Sequence, residues 1–271
     1  MRHTIGILLF VATLGSAAPQ PGSAQEEERP RRGKIDEVED ESSGSDDVPW
    51  VVDLIFDTGR VLWHLVTFLA NDQGPGQGYL SYPYSDVRAL EHFVLSDVKA
   101  HRGYGFVSAG YYDDAGSTLS GTHLEWEGAR GILAFNAGVD AFREPTATEV
   151  DHLTLLRAGA TGLARLSHAT LFRTGLGIRA MVLDDGSVAL GPELELGVQA
   201  FPLRPLAIDG TFRVAGLSGA GAAWFGTALL EASAGAGALL GRVEVRAGYR
   251  AIVIGQATTL AGPTLGARIW F

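Results

Sequence analysis

Cysteine is missing from the 271-residue chain. That excludes disulfides, thiolate metal sites, a cysteine nucleophile and a cysteine-borne lipid anchor. Lysine is scarce, with only Lys34 and Lys99, so every cation beyond residue 100 is Arg or His. A base composition that favours arginine codons accounts for that bias. An excess of positive charge is also lacking. The formal charge is −10 and the pI about 5.1. Residues 1–100 hold 8 basic and 16 acidic side chains, and residues 101–271 hold the remaining 13 and 15. An acidic first part and a balanced second part argue against nucleic acid as a partner, because phosphate binding needs a basic face.

Although 46% of the residues are apolar, no uncharged run after the N-terminus is long enough for a membrane-spanning helix. The phosphate-binding loop of nucleotide hydrolases, the G-x-S-x-G elbow and H-E-x-x-H are missing as well. Gly175, Gly177 and Ala180 fit the dinucleotide pattern G-x-G-x-x-A. That pattern needs a parallel strand before it and a helix after it. Here it falls inside an alternating stretch, so no cofactor is expected.

What is present divides the chain into four parts. Residues 1–24 open with Met1-Arg2-His3, continue with an apolar core from Ile5 to Leu14, and end in Gly22-Ser23-Ala24. This pattern predicts a secretory signal peptide, cleaved after Ala24. Residues 25–48 are acidic, with almost no apolar side chains. They read as a disordered linker that cannot bury enough surface to offset the entropy of ordering it. In residues 49–100 an amphipathic helix over 49–70 precedes a Gly-, Pro- and Tyr-rich segment. Asp53, Asp57, Arg60 and His64 recur at helical spacing on one stripe of an otherwise apolar surface. Such a helix lies at a membrane interface or docks on another element.

From residue 101 onward the period changes to two. Val243, Val245, Ala247, Tyr249, Ala251 and Val253 alternate with Arg242, Glu244, Arg246 and Arg250. Leu190, Leu194, Leu196 and Val198 oppose Glu193, Glu195 and Gln199. Residues 171–182, 206–215 and 264–271 repeat the pattern, whereas 101–112 and 151–160 alternate poorly. A period of two over about ten residues marks a strand with one apolar and one polar face. Nine breaks, near 113–117, 128–131, 143–150, 167–168, 184–187, 202–205, 216–222, 239–241 and 255–262, give about ten strands. Eight or twelve stay open, and Pro192 sits within one strand. The tight breaks recur about every 36 residues, with longer ones between them. Short turns on one side and longer loops on the other is the arrangement of outer-membrane barrels, short turns periplasmic.

The polar face decides between a soluble sandwich and a barrel in lipid. It mixes charges with small residues such as Gly175, Gly177, Gly197, Gly235 and Gly237, which suits a crowded lumen where Arg and carboxylates neutralise each other. Glu193, Glu195, Arg213, Glu231, Arg242, Glu244, Arg246 and Arg250 are expected to form that lumen network. The apolar face carries no charge within its runs, as hydrocarbon requires. Trp126, Phe142, Phe201, Trp224 and Phe271 fall near strand ends and read as an interfacial belt.

The chain resembles bacterial outer-membrane β-barrel proteins over residues 101–271, most sharply in its last strand, Gly266-Ala267-Arg268-Ile269-Trp270-Phe271. The resemblance implies a closed antiparallel up-and-down barrel, outer-membrane lipid as its surroundings and a periplasmic N-terminal region. It also implies a C-terminal sorting signal, Trp270 and Phe271, read by the outer-membrane assembly machinery. A non-enzymatic structural, adhesive or assembly-related role is expected. The alternatives are a barrel hydrolase acting on lipid A or peptide, with His123 and His152 as candidates, or a narrow transport pore.

Overall fold

The computed structural model describes residues 33–35, 38, 57, 60 and 64, and most of 103–271, with short gaps at 115–116, 131, 147–149, 168–169, 204, 220–225 and 256–257. The chain divides into two units, residues 1–31 and 32–271, and every described residue belongs to the second. The expected signal peptide lies outside the described residues.

Ten strands make a closed barrel. They are β1 (Gly103–Asp113), β2 (Ser120–Arg130), β3 (Leu133–Pro145), β4 (Val150–Ser167), β5 (Thr170–Val182), β6 (Val188–Leu203), β7 (Leu206–Gly219), β8 (Thr227–Leu240), β9 (Val243–Ile254) and β10 (Thr258–Trp270). Each pairs antiparallel with its sequence neighbours, and β10 pairs with β1 to close the ring. Closure gives every strand a partner on both sides. The shortest strands have 11 residues and the longest 18, against the roughly 9–11 a tilted strand needs to cross a bilayer. Among the described residues no helix is long and apolar enough to cross one.

The connections alternate in length. At one end β2–β3, β4–β5, β6–β7 and β8–β9 are joined by two residues each, and at the other the linking segments run from three to seven residues. We call these the turn end and the loop end. Gly241 takes φ 66° in a tight turn, and Gly186 takes φ 81° in a loop. Both lie in the left-handed region that glycine enters without a Cβ penalty.

The β1–β10 seam is the short side of the ring. Its register runs from Phe106–Trp270 to Tyr112–Thr264, and Gly105 and Phe271 add mutual backbone hydrogen bonds of 2.9 Å. Beyond Thr264 the Thr258–Pro263 half of β10 pairs with β9 alone. The Asp114 carboxylate takes over there, accepting from Ala261 N at 2.8 Å. The β6–β7 ladder is interrupted at Gly191-Pro192, where proline has no N–H to donate.

The G-x-G-x-x-A stretch lies within β5, not between a strand and a helix, so the context for dinucleotide binding is missing. Asp57, Arg60 and His64 are helical and exposed, at the stripe spacing expected for 49–70; the other residues of 49–70 lie outside the described residues.

Candidate functional site: the layered barrel interior

Alternation sorts the side chains into two environments. Outward go Val107, Tyr111, Leu124, Trp126, Phe135, Leu176, Ile178, Leu190, Val245, Tyr249, Leu265 and Ile269, all substantially exposed. The exposed charged residues Asp113, Arg130, Arg143, His152, Asp184, Asp185 and Arg242 lie at strand ends or in connections. Among the described residues, none of the mid-strand outward positions is charged. Monomeric soluble proteins rarely leave more than a few hundred Å² of contiguous apolar surface open to water.

Inward, the wall presents three layers. The loop-end layer is aliphatic and aromatic, with Tyr112, Leu119, Phe142, Leu153, Leu155, Met181, Leu217, Leu229, Ile252, Ile254 and Leu260 in one cluster. The turn-end layer has two clusters, one of Phe106, Phe201, Ala207 and Trp270, the other of Ala129, Ala134, Leu163 and Leu171. Trp270 packs against Phe106 and Phe201, with ring centroids 5.2 and 6.1 Å apart.

Between them lies a belt of ion pairs. Arg179, fully buried, meets Glu193 at 3.1 Å and Glu231 at 3.0 Å. Arg213 joins Glu195 at 3.0 Å and Glu231 at 2.7 Å. Arg250 grips Asp140 with both terminal nitrogens, at 2.7 and 2.8 Å, and reaches Glu231 at 3.0 Å. Arg173 joins Glu127 to Glu195, and Arg157 meets Glu125 at 2.8 Å. Arg246 pairs with Asp209. Glu244 accepts from Trp270 Nε1 at 3.0 Å, which ties the belt to the turn-end layer. Small residues make the room: a Cβ on Gly138 would stand 2.8 Å from Arg157 Nε, and one on Gly237 2.7 Å from Glu244 Oε1. A cavity of about 120 Å³ lies in the belt, lined by Arg157, Arg213, Arg246, Arg268, His123 and Gln199 among others.

Seven of the eight expected network residues thus sit in this interior. Arg242 does not: it is exposed in the two-residue β8–β9 turn, because β9 begins one residue later. The sequence reading missed Arg157, Asp140 and Glu127. Phe142 and Phe201 also depart from expectation. They point inward, 2% and 6% exposed, and do not join an outer belt. Trp224 lies outside the described residues, Phe271 is exposed, and Trp270 is buried.

His123 lies between two carboxylates, with Nδ1 2.6 Å from Asp140 and Nε2 3.5 Å from Glu125. Both ring nitrogens are engaged, so no lone pair is left to take a proton from a nucleophile. His152 is exposed on the outer wall near the loop end. Among the described residues no group of three or more His, Asp or Glu is arranged to hold a metal ion.

The loop-end mouth holds a contact that the sequence reading did not anticipate. Gly33, Lys34, Ile35 and Val38 belong to the expected disordered linker, yet Ile35 and Val38 are fully buried in the loop-end layer. The barrel supplies the apolar surface that the linker lacks; Ile35 and Val38 are each helical, and a spacing of three puts helical side chains on one face. Lys34 Nζ donates to Asp114 at 2.7 Å and to the Thr259 carbonyl at 3.0 Å. Burial raises the Asp114 carboxyl, but hydrogen bonds from Lys34, Ser117 and the Ala261 amide outweigh it and hold the group below its ordinary value.

No protein-family model matches the chain, and neither does any curated protein. Among solved structures, the chain is similar to OmpT of Vibrio cholerae with loop L8 deleted, at 12% identity and TM-score 0.34, over 60% of this chain and 62% of that one. It is similar to an anion-selective porin from Comamonas acidovorans, at 12% identity and TM-score 0.31, over 60% and 58% of the two chains. A third likeness is to Ail, the attachment invasion locus protein of Yersinia pestis, at 10% identity and TM-score 0.27, over 62% and 97%. The chain thus spans about three-fifths of the first two proteins it matches. Similarity of this degree establishes neither a shared family nor a shared role.

Proposed function

We propose that this chain is an integral outer-membrane β-barrel protein with a structural or adhesive, non-enzymatic role. The observation that carries this reading is the wall itself: apolar and uncharged outward through its middle, ionic and mutually neutralised inward. In water that arrangement is costly on both faces. In a bilayer the outer face meets hydrocarbon, and the belt is shielded at both ends by apolar layers. The partners are then outer-membrane lipid and the barrel-assembly machinery. The outward alternation of Leu265, Ile269 and Phe271, all more than half exposed, supports reading the last strand as the sorting signal.

The hydrolase alternative has less support, since His123 is held by two carboxylates. The transport alternative meets an interior filled at three levels, with a cavity of only about 120 Å³.

Orientation follows the usual rule for such barrels, longer connections outside and tight turns in the periplasm. Lys34, Ile35 and Val38 then lie at the outer mouth, and the start of β1 at Gly103 lies on the periplasmic side. Because the chain has no cysteine, single-cysteine labelling tests this cleanly. Ser187→Cys in the β5–β6 loop should react with a membrane-impermeant maleimide in intact cells. Arg242→Cys in the β8–β9 turn should react only after the outer membrane is permeabilised. The opposite pattern would invert the orientation, and free labelling at Ile178→Cys would remove the barrel from lipid.

A further inference from the structure

The loop-end mouth is built to receive a peptide. Its floor is the apolar layer above the ion-pair belt. Its rim carries buried acidic groups, among them Asp114 and Glu144, 4% exposed each. Glu144 accepts the backbone N–H of Ile35 at 2.9 Å. Asp114 accepts from the Lys34 ammonium, which also donates to Thr259 O on the half of β10 that lacks a β1 partner. The match is specific in shape too: a Cβ on Gly33 would approach Glu144 Oε2 to 3.0 Å. A buried carboxylate needs donors: Asp114 has Tyr112, Ser117 and the Ala261 amide from the barrel itself, and Lys34, about 80 residues away in sequence, adds the charged one, as the Ile35 amide, about 110 residues away, donates to Glu144.

We infer that the loop-end mouth is a binding site for a short peptide that pairs a cationic side chain with branched aliphatic ones, and that residues 33–38 of the same chain are its resident ligand. Ile35 and Val38 extend the apolar layer, Lys34 neutralises Asp114, and the Ile35 amide gives Glu144 a hydrogen-bond donor. An acyl chain would fill the same floor but would bring no donor to Asp114 or Glu144. Ile35 sits at the loop end, while β1 starts at Gly103 on the turn end. Any bilayer around the wall would separate these two points, so docking within one chain and the membrane reading are tested by different readouts, cross-linking and peptide binding for the first and surface labelling for the second.

Two experiments on the full chain test it. In the first, Lys34→Cys and Asp114→Cys are joined by a short bis-maleimide. Cross-linked monomers are expected, seen as a mobility change after unfolding; covalent dimers, or no cross-link, would overturn docking within one chain. In the second, a fluorescent peptide of residues 31–41 is titrated onto the Ile35→Asp, Val38→Asp double variant, whose own segment can no longer dock. Saturable binding is expected there. It should be about 10-fold weaker on the wild-type chain, whose mouth is filled, and about 10-fold weaker for a peptide carrying Lys34→Glu, as for loss of a charged hydrogen bond. No binding to the double variant, equal binding to the wild type, or indifference to the Lys34→Glu change would each sink the proposal.

Discussion

Ile178→Arg is expected to block stable insertion of the barrel. Ile178 lies mid-way along β5, faces outward and is 56% exposed, with Ala158 and Pro192 as its lateral neighbours. If hydrocarbon surrounds that position, an arginine there costs about 2–4 kcal/mol. The neighbouring small residues offer no carboxylate to offset it. On a water-facing strand the same change would cost within about 0.5 kcal/mol. Measured as the fraction that folds into vesicles, or as the urea midpoint in lipid, the variant should lose most of its folded population. Asp113→Arg, at a strand end where a long side chain reaches the interface, should be nearly silent. Equal tolerance at both positions would mean that the outer wall does not face lipid.

The second large effect is internal. Arg179→Ala removes a fully buried guanidinium from between Glu193 and Glu231 and takes from Glu193 the cation at 3.1 Å, while Glu231 keeps Arg213 and Arg250. Breaking a buried ionic network from one side costs roughly 3–5 kcal/mol, because the stranded partner stays charged and unsolvated. Removing both sides together costs much less, so Arg179→Met with Glu193→Gln should recover most of the loss. Unfolding in detergent reports the difference. If the double variant is as unstable as Arg179→Ala, the guanidinium acts through packing alone.

Much of the wall was legible before any coordinates. In β9 the charges at Glu244, Arg246 and Arg250 and the apolar residues between them named the two faces correctly, since two sharply different environments leave a sharp period of two. The breaks fell within a few residues of the observed connections, because Gly, Pro, Asp and Ser mark turns for local reasons. The layering inside was not legible. Leu153 and Leu155 point inward near the loop end while Leu156 points outward, so β4 is apolar on both faces there and its alternation fades. The same holds for Phe106 and Tyr112 beside Val107 and Tyr111 in β1. Arg242 was placed inside on parity alone, which cannot show that a strand has not yet begun. The docked Lys34, Ile35 and Val38 escaped notice because two aliphatic residues in an acidic stretch carry no period, and their surface is supplied by strands far away in sequence.

The central claim, lipid outside and paired charge inside, is tested most directly by tryptophan quenching. Trp126 faces outward, 44% exposed, and Trp270 faces inward, 2% exposed. In vesicles of lipids brominated on their acyl chains, a chain keeping only Trp126 should be strongly quenched, and a chain keeping only Trp270 nearly untouched. Quenching of Trp126 by aqueous iodide and not by the brominated lipid would contradict the account.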